Sequence, residues 1–174
     1  VYAEHDKPEE LLARSREDAE ASLAVLERYI RIHRSAGFRG PVPLWFSRKI
    51  RTEKDAWYVG NWLKFDEASL RRCLRIVEEI CRARAARGWP EILFYAIDEP
   101  GQYARARLAR HLFRHIKCIP GARTFTCPGF AETVHEFVDV LDVACMGPGV
   151  TWEDERRLAD TYGFELWKYL PLHE

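Results

Sequence analysis

Two carboxylates stand side by side in EILFYAIDEPGQ, residues 91–102, where Asp98 and Glu99 close a hydrophobic run and Pro100-Gly101 stop it. Along a strand, neighbouring side chains point to opposite faces, which would keep the two acids apart. At a strand's last residues that restriction relaxes: Pro100 cannot donate to a ladder and Gly101 admits unusual backbone, so both acids can rim one mouth. At a separation of ~6 Å and an effective dielectric near ~20, their repulsion would be roughly 3 kcal/mol. Such repulsion favours keeping one of them protonated toward neutral pH, which is what a general acid requires. The competing reading is a helix start whose acids suit the helix dipole, since a helical pattern begins directly after Gly101.

The elements that must position this pair alternate along the chain. A first helix is expected over about Pro8 to Ser35, with Ala19, Leu23, Leu26 and Ile30 at helical spacing. A strand near Val42 to Phe46 follows. A second helix starts at the cap candidate Asp66 and buries Leu70, Leu74, Val77 and Cys81. Then come the strand Ile92 to Ile97 and a third helix from about Gln102 to Cys118, with Leu108, Leu112, His115 and Ile119 inward. ARTFTC reads as a strand, Phe130 to Phe137 as a short helix, VLDVACMG as a strand, Thr151 as the opening of a last helix, and FELWKYL as the fifth clear strand. Strands separated by helical crossovers make a parallel sheet. No Gly-rich phosphate loop follows any strand, which counts against a nucleotide site. The expected fold is α/β, a (β/α)-barrel of the TIM type with the polar and aromatic residues at its C-terminal mouth. A full barrel has eight strands and about 250 residues. The 174 residues are therefore read as one barrel domain, residues 1–174, truncated at both ends. VYAEH is the tail of a possible sixth strand, and an open doubly wound sheet is the structural alternative.

Lys+Arg and Asp+Glu are both 27, a balance that argues against nucleic acid or an anionic membrane as the main partner. The arginines of the second helix, Arg71, Arg72, Arg75, Arg82, Arg84 and Arg87, share it with Glu78 and Glu79 and read as a solvated face. No apolar run is long enough to span a bilayer. The five cysteines are odd in number and lack C-x-x-C spacing, against a disulfide framework or zinc site. Cys127 has no histidine placed in sequence to activate it. His111 and His115 have the four-residue spacing of a metal pair, but no Glu follows the first, so they read as residues of a helix face.

FYAIDEPG, RTFTC, LDVACMGPG and ELWKYL together resemble the catalytic barrel of glycoside hydrolase family 123, whose members cleave N-acetylgalactosaminides with retention. The Asp-Glu-Pro sequence is the most specific part of the resemblance, and family 20 hexosaminidases carry a similar acidic pair. The resemblance implies a carbohydrate substrate, no cofactor, Glu99 as the acid/base, and Asp98 as the residue that orients the substrate's 2-acetamido group. The acetamido oxygen would then attack the anomeric carbon, an exception to the two-carboxylate scheme. The residues offer a separate check. An ordinary retaining glycosidase needs a second carboxylate about 5 Å from the acid. FELWKYL carries Glu165 at its N-terminal end, the wrong end, and offers Lys168, Tyr169 and Leu170 at the other. That favours the substrate-assisted route and, equally, a barrel that binds carbohydrate or is structural without turning it over. A metal-dependent hydrolase using Asp98, Glu99 and His5 is a third class.

Other residues fit a sugar site. Trp57, Tyr58 and Trp62 lie in a long connection after a strand and suit ring stacking, with Asn61 available to hydroxyls. Trp167 and Tyr169 share a face of the last strand, with Tyr169 nearer the mouth and able to hydrogen-bond the acetamido oxygen. Trp152 can stack on a sugar or cover a helix start. His5 follows the possible sixth strand. Trp45, inside a strand, reads as core.

Overall fold

A computed structural model describes residues 16–45, 67–95, 103–126, 135–142 and 151–167. Within them, α1 (Arg16–Ser35), β1 (Val42–Trp45), α2 (Glu67–Arg87), β2 (Ile92–Tyr95), α3 (Tyr103–Ile116), β3 (Arg123–Thr126), a 3₁₀ turn (His135–Phe137), β4 (Val140–Asp142), α4 (Trp152–Tyr162) and β5 (Glu165–Trp167) follow one another. The strands form one sheet in the order β1-β2-β3-β4-β5, and every neighbouring pair is parallel.

Sequential order has a structural consequence. A doubly wound sheet reverses its strand order at a switch point and carries helices on both faces. Among the described strands there is no reversal, and the helices keep to one face. Val42, Leu44, Ile92 and Phe94 pack with Leu23, Leu26 and Ile30 of α1, Val77 and Ile80 of α2, Leu112, Phe113 and Ile116 of α3, and Ala159 of α4. Leu93, Phe125 and Val140 form a separate cluster, joined by Tyr95 and Trp167, to which none of the described helices contributes. The period-two alternation of β2 decides this division: Ile92 and Phe94 face the helices, Leu93 and Tyr95 the other side.

The helices form where their apolar residues recur every three or four positions. In α1 these are Leu23, Leu26 and Ile30; in α2 they are Leu70, Cys73, Val77 and Ile80, with Leu74 and Cys81 only partly buried at the margin. Burial pushes the Cys73 thiol up to about 12 and the Cys81 thiol to about 11, so both are inert small hydrophobes at neutral pH. In α3 the buried line runs Leu108, Leu112, Ile116, with Ala109 and Phe113 beside it. His115, expected inward, stands half-exposed, because the stripe continues by four residues from Leu112 to Ile116. The described arginines of α2 bear out a solvated face in part only: Arg84 donates to the Gly121 carbonyl at 3.0 Å and Arg87 pairs with Glu27 at 3.0 Å.

Thr151 caps α4 with a reciprocal box, its side chain accepting from the Asp154 N–H while Asp154 accepts from the Thr151 N–H. The helix ends on Gly163 at φ 75°, where the N–H returns to the Ala159 carbonyl at 2.7 Å. Asp139 ties the N-terminal edge of the sheet together. Its Oδ2 accepts from the Thr124 N–H at 2.8 Å, its Oδ1 from Lys117 at 2.9 Å, and its carbonyl from the Glu165 N–H at 2.9 Å. Three elements are thereby fixed by one side chain and its backbone.

Candidate functional site

The helix-free face is built in two tiers. Strand alternation puts Leu93 and Tyr95 of β2, Arg123 and Phe125 of β3, Val140 of β4, and Glu165 and Trp167 of β5 on this side. Parallel register then sets Tyr95 beside Phe125, Phe125 beside Val140, and Val140 beside Glu165.

The tier toward the C-terminal strand ends is aromatic. The Tyr95 and Phe125 rings meet edge to face, centroids 5.0 Å apart at 81°. Phe125 and Trp167 stand 5.9 Å apart at 58°. Both contacts fall in the range where aromatic pairs attract beyond their buried area. Phe125 is buried, whereas Tyr95 and Trp167 at the two ends of the row are half-exposed. The row is thus anchored in its middle and open at its ends.

Beside and below this row runs an ionic group, with Glu165 in register with Tyr95 and Phe125 and with Arg123 one side-chain step toward the N-terminal strand ends. Arg123, the first residue of β3, donates to Glu91 at 2.9 Å and to Glu165 at 2.8 Å, reaching across β4 to do so. All three side chains are partly exposed, so each pair is worth about 1 kcal/mol or less. Glu165 also accepts from the Trp167 indole N–H at 3.3 Å. One carboxylate therefore joins the ionic tier to the aromatic one.

Of the residues expected at a site, the structure places Trp167 in the aromatic row. Trp152 is the first residue of α4 and packs against the helix-side core, so the structure does not bring it to Trp167. Trp45 pairs with Tyr95 in register. Asp98, Glu99, His5, Trp57, Tyr58, Asn61, Trp62 and Tyr169 lie outside the described residues. Sequence reasoning passed over Tyr95 and Phe125. The signal for both was present: in ILFY and RTFT, alternate positions set them on the face away from the helices.

Glu155 is a buried carboxyl in the first turns of α4, and its Oε2 has no hydrogen-bond partner. Burial, with the neighbouring Asp154 charge, pushes its carboxyl above the usual range. Among the described residues, no group of three or more His, Cys, Asp or Glu is arranged to hold a metal ion, and no helix is long and apolar enough to cross a membrane. Comparison of the chain with protein-family models, curated proteins and solved structures finds no match.

Proposed function

We propose that the chain is part of a (β/α)-barrel of the glycoside hydrolase type, which binds an N-acetylhexosaminide over its helix-free face and cleaves it with Asp98 and Glu99. The observation that carries this reading is the row Tyr95–Phe125–Trp167 at the C-terminal strand ends, on the face away from the helices. In barrel enzymes that end of the strands holds the chemistry. Tyr95 is the last residue of β2, and Asp98 follows three positions later in the chain. Half-exposed aromatic rings offer flat apolar area to the C–H face of a sugar at small entropic cost, since each ring is already held by its neighbours.

In this reading Glu99 protonates the leaving oxygen, and Asp98 holds the acetamido group whose oxygen attacks the anomeric carbon. Glu165 is committed to Arg123 and the Trp167 indole, which supports a route without a protein nucleophile on β5. The same commitment favours a second reading, a carbohydrate-binding barrel without turnover.

The test uses the full-length protein with aryl N-acetyl-β-galactosaminide and N-acetyl-β-glucosaminide substrates. Release of the aryl group, lost for poor leaving groups but largely kept for activated ones in Glu99→Gln, supports the acid role. Asp98→Asn should slow both kinds, because attack by the acetamido oxygen is itself impaired. Sugar binding without release favours the second reading. Neither binding nor release removes both.

A further inference from the structure

The helix α3 carries a pair of histidines that the proposed site does not use. His111 and His115 are one helical turn apart, and their ring centroids stand 4.6 Å from each other at an interplanar angle of 60°. Two imidazoles bound cis on one ion, with metal–nitrogen bonds of about 2.0–2.1 Å, bring their ring centres to roughly 4.5–5.2 Å. The rings therefore already stand at chelating separation.

The tautomer of His115 is fixed by its own contact. Its Nδ1 lies 2.7 Å from the His111 carbonyl oxygen. A carbonyl only accepts, so Nδ1 carries the hydrogen, and in the neutral ring the lone pair sits on Nε2. A backbone carbonyl holding Nδ1–H is the outer-shell arrangement that orients metal-binding histidines.

Two of the neighbouring cations are neutralised by ion pairs. Arg110 is paired with Glu136 at 3.2 Å, and Lys117 with Asp139 at 2.9 Å. His115 also lies in the last turn of the helix, where the dipole favours positive charge. Arg105, Arg107 and Arg114 are the other arginines of the same helix.

We infer that His111 and His115 form a two-histidine chelating site for a late first-row divalent ion on the outer face of α3. Imidazole pairs select such ions over Mg²⁺ and Ca²⁺, and Cu²⁺ binds ahead of Zn²⁺ and Ni²⁺. With two protein ligands, the remaining coordination positions are filled by water. Each ring ligates through an unprotonated nitrogen, since a protonated one has no lone pair to donate.

The experiment titrates untagged protein with CuCl₂ and with MgCl₂, by calorimetry and by Cu²⁺ electron paramagnetic resonance. The expected result is one Cu²⁺ site with two nitrogen ligands and no competition from Mg²⁺. Losing an outer-shell partner already costs about tenfold or more in affinity. His111→Ala and His115→Ala should each lose at least that, and the double variant little beyond either single one. Helix content by circular dichroism checks each variant, with His111→Gln and His115→Gln replacing any that misfolds. Cu²⁺ binding unchanged in both variants would assign the ion to another of the chain's six histidines and overturn the inference. So would loss in only one of the two, or no preference for Cu²⁺ over Mg²⁺.

Discussion

The two faces of the sheet are made from different residue types by the same strands. On the helix side β1 and β2 present Val42, Leu44, Ile92 and Phe94, all aliphatic or fully buried aromatic, against interlocking helix side chains. On the other side β2, with β3 and β5, presents Tyr95, Arg123, Phe125, Glu165 and Trp167. Close-packed aliphatics tolerate no loss of volume and offer no functional group. Aromatics with half-exposed ends, beside a group of ion pairs, offer surface and hydrogen bonds at lower cost to stability. The comparison teaches that period two lets one short strand serve both the packed core and a partly exposed aromatic face.

The largest expected effect tests that division directly. Phe94 is completely buried among the helices. Phe94→Ala should cost about 3–5 kcal/mol in denaturant unfolding, a large share of the roughly 5–15 kcal/mol that holds a domain of this size. Trp167→Ala, on the other face, should cost about 1–2 kcal/mol and, on the proposed reading, should abolish sugar binding. If the two stability losses came out equal, or in reverse order, the faces would not differ in the way described.

Among the described residues Thr124, Thr126 and Glu155 are the buried polar side chains, and Glu155, the acid among them, gives the second prediction. Glu155 is buried with an unpartnered Oε2, and its proton is held more tightly in the folded chain than in the unfolded one. Between the ordinary carboxyl range and that raised value the folded state binds more protons, so this group's contribution to stability falls as the pH rises. Glu155→Gln removes the penalty. The variant and the parent should melt alike in acid, and the variant should gain on the order of 1 kcal/mol at neutral pH. Thermal melts at pH 4, 5.5 and 7 check the divergence (all three fall in or above the ordinary carboxyl range); parallel curves would show that Glu155 is solvated after all.

How far the sequence foretold this arrangement depends on the range of the interaction. The helices were legible, since Leu23, Leu26 and Ile30 meet a 3.6-residue period, and Thr151 opens α4 as expected. The strands were legible as apolar runs, and their parallel pairing followed from the helical crossovers between them. The phase of α3 was less so, because His115 and Ile116 are adjacent and either can continue a stripe from Leu112. The ionic tier was illegible. Arg123 is 32 residues from Glu91 and 42 from Glu165, and nothing local marks them as partners. Asp98 and Glu99, the clearest chemical signal in the sequence, lie outside the described residues.

The smallest expected effect concerns the carboxylate that joins the two tiers. Glu165 takes one hydrogen bond from Arg123 and one from the Trp167 indole, and more than half of its side chain is exposed. Its removal should therefore cost no more than about 1 kcal/mol, less in strong salt where the pair is screened. Its effect on Trp167 should be plain nonetheless, because the indole N–H loses its acceptor. In a ¹⁵N-labelled sample, Trp167→Phe identifies the indole signal by its disappearance. Glu165→Ala should shift that signal and speed its exchange with water. Glu91→Ala removes the other arm of Arg123 without touching the ring, and should leave the signal nearly in place. An indole signal that ignores both substitutions would mean that the aromatic row holds itself, through the Phe125 ring alone, and that the ions beside it serve only the edge of the sheet.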